Sequence, residues 1–120
     1  MNIVKRDGSI QSFHEEKIKD AMRKAFRNTQ LPIEEEKLHV MAVEIAAQLT
    51  DGSRVEDIQD KVEEALMKHS YFQVAKNYIL YRSKRSEQRK VLQTLVEEVQ
   101  DEGLKEVFLH IQKDLSLIHI

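Results

Sequence analysis

From residue 15 onward the apolar residues of this chain recur at helical spacing, and little interrupts them. Ile18, Ala21, Met22, Ala25 and Phe26 form one stripe, and Leu38, Met41, Ala42, Ile45, Ala46 and Leu49 a second. Ile58, Val62, Ala65 and Leu66 form a third, and Val74, Ala75, Tyr78, Ile79 and Tyr81 a fourth. Repeats at i, i+3, i+4 and i+7 mark one face of an α-helix. Proline and glycine would break such helices at a cost of about 3 and 1 kcal/mol. The chain holds one proline and three glycines in 120 residues. The spacing predicts helices over Glu15 to Asn28, Glu34 to Leu49, Ser53 to Met67 and Tyr71 to Val99, with another beginning at Leu104 and reaching Lys113. Ser53 followed by Glu56 is a capping-box spacing for the third of these.

The first fourteen residues follow a different rule. Ile3-Val4, then Asp7-Gly8, then Ile10 and Phe13 reads as a short hairpin, because Asp-Gly suits tight turns whose two central positions want positive φ. An extended piece at Gly52 to Arg54 is placed to join it as a third strand. The expected fold is mainly α: a four-helix bundle capped by a small three-stranded β-sheet, the hairpin plus one short strand. The expected layout is one domain over residues 1–90 and the start of a following helical region over 91–114. Residues 115–120, mostly apolar and without a polar cap, read as a truncated or foreign tail.

Composition removes several classes of function. There are no cysteines, so disulfides, thiolate zinc sites and thiol chemistry are excluded. The histidines at 14, 39, 69, 110 and 119 lack HExxH or similar ligand spacing, and no metal site is expected. No apolar run approaches the roughly 18 residues of a membrane span. Met1-Asn2-Ile3-Val4-Lys5-Arg6 places charges where a signal peptide needs its apolar core, so a cytoplasmic protein is expected. Residues 1–90 carry 17 Lys and Arg against 15 Asp and Glu, whereas 91–120 carry 2 against 6. A mildly basic body with an acidic appendage suits a small anionic ligand better than a nucleic acid.

Lys5 and Arg6 precede the turn, and Lys17 lies one turn into the helix after it. Cations beside a helix start can hold phosphate, because the start adds unpaired N–H groups and a favourable dipole. His14, Lys17 and Ile18 sit at i, i+3 and i+4 on that first turn, and Val55 and Gln59 are likewise four apart at the start of the third helix. Adjacent strand residues point to opposite faces, however, so Lys5 and Arg6 reach one ligand only if the strand curls into its turn. No Walker or Rossmann glycine pattern is present, and the residues alone favour a solvated basic hairpin over a phosphate site. Two other readings compete. Arg82, Lys84, Arg85, Arg89 and Lys90 form a basic cluster for nucleic acid, without the interleaved aromatics that stack bases. Apolar residues in 104–120 fit a ligand-free helical protein-interaction module.

Val4-Lys5-Arg6-Asp7-Gly8, with Phe13, Lys17-Ile18, Ala21 and Lys24-Ala25 following, resembles the amino-terminal signature of the ATP-cone family. The stretch from Val74 to Arg82, with Arg85 after it, is similar to that family's closing helix, and the match covers about residues 2–90. The resemblance implies four helices under a three-stranded sheet, binding ATP or dATP as an allosteric effector with magnesium on the phosphates. It places Lys5 and Arg6 near the phosphates with Lys17 beside them. Gln11, His14, Ile18, Val55 and Gln59 would surround base and sugar, and Arg85 would approach from the last helix. Gln11 stands where the family commonly has an acidic residue, and His14 where it commonly has Asp or Asn.

The family occurs on ribonucleotide reductases and on a zinc-ribbon repressor with four cysteines before the cone. The lack of cysteine disfavours the repressor, and residues 91–114 resemble the link into the catalytic part of a large reductase subunit. The expectation is an amino-terminal regulatory fragment without catalytic activity of its own. Its parent would be a ribonucleoside-diphosphate reductase acting in deoxyribonucleotide synthesis. Its partners would be an adenine nucleotide, the parent's catalytic domain and the reductase's other subunits, with no membrane and no nucleic acid.

Overall fold

The computed structural model describes the backbone of residues 1–117 and the side chains of residues 1–112. The expectation for a foreign tail at 115–120 falls on side chains outside those described. The elements in chain order are β1 (Asn2–Val4), β2 (Ile10–Ser12), α1 (Glu15–Arg27), α2 (Glu35–Ala47), β3 (Ser53–Arg54), α3 (Val55–Lys68), α4 (Phe72–Glu98) and α5 (Glu102–Leu117). The molecule is helix-dominated with a small three-stranded sheet, as the periodicity predicts. The chain forms two compact units, one over Met1–Ile79 and one from Leu80 onward, so the division falls within α4.

In the first unit the strand order is β2-β1-β3. β1 pairs antiparallel with β2, Ile3 opposite Gln11 and Val4 opposite Ile10. It pairs parallel with β3, Ile3 beside Ser53 and Val4 beside Arg54. A parallel neighbour needs a long crossover, and α1 and α2 supply it. Ile3 is buried and Ile10 is 71% exposed, so one sheet face meets the core and the other meets water. The core joins Ile3 to the stripes of α1, α2 and α3, and to Val74, Ala75 and Tyr78 from the first turns of α4. Ile18, Met22, Leu38, Met41, Ile45 and Ile58 are fully enclosed. Burying each such side chain contributes about 1.5–3 kcal/mol, which is why the stripes and the core largely coincide; Ile79 and Tyr81 of the fourth stripe depart from it, at 38% and 42% exposure.

Two local expectations need correction. The hairpin turn is not a two-residue turn with Asp7-Gly8 at its centre. The Gly8 N–H donates to Lys5 O at 3.0 Å and the Lys5 N–H to Ser9 O at 2.8 Å, and among the described residues of the turn only Gly8 has positive φ, at 86°. That is a three-residue loop, a β-turn over Lys5–Gly8 followed by a glycine bulge. Asp7 is held in the turn by accepting from the Ser9 N–H at 2.9 Å and the Ser9 hydroxyl at 2.6 Å. Those bonds keep the Asp7 carboxyl below the usual carboxylate range.

The capping box also sits one residue later than Ser53 and Glu56. The Asp57 carboxylate accepts from the Arg54 N–H at 3.3 Å. Ser53 turns back instead, its hydroxyl donating to Thr50 O at 2.8 Å and accepting from the Thr50 N–H at 3.0 Å. Pairing with β1 keeps Arg54 extended as well as Ser53, at φ −86° and ψ 153°, so the helix starts only after Arg54 and Glu56 is released from capping.

α3 ends in a Schellman motif: the Tyr71 N–H donates to Leu66 O at 2.8 Å and the Ser70 N–H to Met67 O at 3.0 Å. Ser70 takes the left-handed conformation the motif requires, φ 65°. Tyr71 then packs edge-on against Phe26, ring centroids 5.0 Å apart at 72°. In the second unit the Asp101 carboxylate caps α5 by accepting from the Leu104 N–H at 3.0 Å. The amide of Gln112 donates to Gln93 Oε1, tying α5 to α4. Val96 is buried there, while Leu104, Val107, Leu109 and Ile111 stay exposed.

Candidate functional site

β1 and β3 run side by side in the same direction, and each continues into a feature of the site. β1 leads through Lys5 into the turn, and β3 leads through Arg54 into the first turn of α3. The turn is therefore delivered to the start of a helix some 50 residues further along the chain. Arg6 is a central residue of that turn, not a strand residue, and strand alternation no longer sets its direction. Its side chain turns toward α3.

The Arg6 guanidinium makes two contacts with one face of α3. Nη2 donates to Gln59 Oε1 at 3.0 Å, and Nε lies 3.0 Å from Glu56 Oε1. The Arg6 side chain is 12% exposed and that of Glu56 49%. Gln59 is 4% exposed, a polar side chain set among core residues. A buried amide needs hydrogen-bond partners, and Arg6 is one of them. Glu56 and Gln59 are three apart, so both fall on the same helical face. Their pairing with Arg6 makes Glu56 a site residue that the sequence reading assigned to helix capping. The i, i+3 spacing to Gln59 is the one signal that pointed to it.

The other expected contacts occupy several environments. Ile18 and Val55 belong to the core, at 0% and 2% exposure. His14 holds the N-cap position of α1 in extended conformation, with no side-chain capping bond. His14 and Lys17 are exposed, and Lys5 and Gln11 are half-buried. Arg85 lies in the second unit on α4, where its guanidinium carbon sits 5.7 Å from the centre of the Tyr81 ring and Nη1 donates to Gln88 at 3.3 Å. In the same unit Lys90 pairs with Glu87 at 3.4 Å, so the basic cluster of α4 is partly answered by its own helix.

The two helix starts beside the sheet each carry two carboxylates, Glu15 and Glu16 on α1, Glu56 and Asp57 on α3. These satisfy the positive ends of the helix dipoles locally. Anion binding at this place therefore depends on the side-chain cations more than on bare helix ends. Among the described residues, no three His, Asp or Glu side chains converge to hold a metal ion, and no helix is long and apolar enough to cross a membrane.

Fold and site together define a small helical domain whose sheet presents a cationic hairpin turn to the start of a helix. The chain belongs to the ATP-cone family: the family model described as ATP cone domain matches residues 1–87. Its relatives include ribonucleoside-diphosphate reductase subunit alpha of Treponema pallidum, 34% identical over 95% of this chain and 15% of the relative. The same subunit of Chlamydia pneumoniae is 37% identical over 72% of this chain and 9% of the relative. A vitamin B12-dependent ribonucleoside-diphosphate reductase of Thermoplasma acidophilum is 40% identical over 69% of this chain and 12% of the relative. The matched regions of the alpha subunits are amino-terminal. The chain thus spans a small part, between 9% and 15%, of the length of these reductases.

Proposed function

We propose that the chain binds ATP or dATP at the hairpin turn and acts as the allosteric regulatory domain of a ribonucleotide reductase. The observation that carries this reading is the seating of the Lys5-Arg6 turn on the first turn of α3, in a domain of the ATP-cone family. Lys5 and Arg6, with Lys17, would take the phosphates. Arg6 suits this task, since a guanidinium forms paired, charge-assisted hydrogen bonds to phosphate oxygens. Gln11, His14 and Gln59 would meet base and sugar, with Ile18 and Val55 forming the apolar floor beneath them. Among the described residues no acidic cluster converges on a metal position, and magnesium would be carried by the phosphates.

Regulation requires that the two effectors differ in their contacts, because a ligand that binds two states equally shifts neither. ATP and dATP differ by one ribose hydroxyl, which would alter packing at the sheet end of the helices. Residues 91–114 would then lead into the catalytic part of the parent chain, the partner that reads the signal. The chain itself contains no cysteine for reductase chemistry. A cytoplasmic setting follows from the parent activity as part of the same proposal.

Thermal denaturation with ATP, dATP, GTP and CTP tests the reading. Ligand at about 100 times its dissociation constant adds roughly 2.7 kcal/mol of stability, a shift of several degrees in a domain of this size. Shifts with the adenine nucleotides and none with GTP or CTP are expected. The absence of any shift with ATP and dATP would exclude the sensor function.

A further inference from the structure

The same Arg6 that the proposed site needs for phosphate is already held by a carboxylate. Its Nε is 3.0 Å from Glu56 Oε1, and its Nη2 is occupied by Gln59. Glu56 is on the first turn of α3, is half exposed, and is not needed for the cap, which Asp57 provides. A carboxylate and a phosphate compete for the same face of a guanidinium, and they repel each other across it. We infer that Glu56 is a resident counter-ion for Arg6, a stand-in for phosphate that an entering nucleotide must displace. This rests on the nucleotide-site reading given above and adds to it a residue that sets the site's affinity from outside the ligand's direct contacts.

The device has two consequences. With the site empty, Glu56 neutralises a guanidinium that is 12% exposed and keeps it directed at α3. Without that carboxylate the guanidinium would hold its charge in a part-buried place at a greater desolvation cost. With nucleotide present, the freed carboxylate stands beside the polyphosphate and opposes it. Binding is thereby held weaker than the cations alone would make it, which suits a sensor that must release its effector when concentrations fall. Glu56 acts through Arg6 and is a positioning residue.

The test compares the 120-residue chain with Glu56→Gln and Glu56→Ala by calorimetric titration of ATP, dATP and inorganic tripolyphosphate. Both variants are expected to bind ATP about fivefold more tightly than the parent, the weight of one part-exposed ion pair. The gain should appear with tripolyphosphate as well, since it acts on the phosphates. It should shrink when Arg6 is also replaced by Gln, because competition for that guanidinium is then removed and only direct repulsion of the phosphates is left. Glu64→Gln serves as the control for net charge. Glu64 is exposed on the same helix and pairs with Lys61, and its removal should leave affinity within about twofold.

Unchanged or weaker ATP binding in both Glu56 variants, with the parent binding normally, would overturn the counter-ion role and leave the site reading intact. An equal gain in Glu64→Gln would also overturn it, by reducing the effect to overall charge. If the parent binds neither adenine nucleotide, the site reading fails and this inference fails with it.

Discussion

Arg6 Nη2 donates to Gln59 Oε1 across 3.0 Å of space and 53 positions of sequence. The bond joins a turn residue of the hairpin to a buried residue of α3 and fastens the sheet to the helices at that corner. It gives Arg6 a structural task in addition to the proposed phosphate contact. Removing the guanidinium takes a donor from a side chain that is 4% exposed.

Arg6→Ala should therefore destabilise the first unit by about 1–3 kcal/mol, the range for depriving a buried polar group of a partner. Urea denaturation with a Gln59→Leu and double-variant cycle would measure it. A coupling energy below about 0.5 kcal/mol would show that the bond has no weight in solution. Lys5→Gln is accordingly the cleaner test of phosphate binding. It should reduce the ATP-induced thermal shift while changing the unliganded melting temperature little.

Gly8 adopts φ 86° with no atom within 4 Å of where a Cβ would stand. A side chain there meets open space, so its only penalty is conformational. Gly8→Ala is expected to cost about 1–2 kcal/mol by equilibrium unfolding. Because the strain falls on the turn that presents Arg6, nucleotide affinity should fall along with stability. A stable Gly8→Ala protein with unaltered binding would show that the turn conformation is unimportant to the site.

Ser70 pays the corresponding penalty in the native chain, holding φ 65° at the end of α3. Ser70→Gly removes that strain while keeping both hydrogen bonds of the Schellman motif. A gain of about 1 kcal/mol is expected after allowance for the greater freedom of glycine when unfolded. A loss of stability on calorimetry would mean that the serine hydroxyl contributes more than its backbone costs.

Glu35 and Glu44 link the first unit's stability to acid pH. Hydrogen bonding by Arg23 holds the Glu35 carboxyl below its ordinary 4.5. Hydrogen bonding by His69, at 3.0 Å, with Lys68 nearby, does the same for Glu44. A carboxyl lowered in the folded state binds fewer protons than in the unfolded one, so its contribution is present above pH 4.5 and is lost as pH falls through the folded value. Melting temperature should decline on acidification below that point, and Glu35→Gln with Glu44→Gln should flatten the decline while lowering stability at neutral pH. An identical acid profile in the double variant would exclude both groups as its source.

Much of this was readable in the residues in order. The stripes from Ile18 to Tyr78 located every helix of the first unit to within a few residues, because apolar periodicity and the requirement for burial are the same fact seen twice. The hairpin and the short strand at Ser53 were legible from the Asp-Gly pair and the break after α2. So was family membership, carried by Lys5-Arg6-Asp7-Gly8 with Lys17 and the helix beginning near Val74.

Tertiary structure decided what neighbouring residues cannot encode. The parallel pairing of Val4 with Arg54 brings the turn to α3, and that pairing keeps Arg54 extended, moves the N-cap to Arg54 with Asp57 answering it, and leaves Glu56 beside Arg6. Ile18 was already marked for burial by its stripe, whereas the depth of Gln59, 4% exposed, was set only by the folded chain. Local hydrogen bonding and side-chain period are properties of a segment. The partner of a charge, and the depth at which it lies, are properties of the chain folded back on itself.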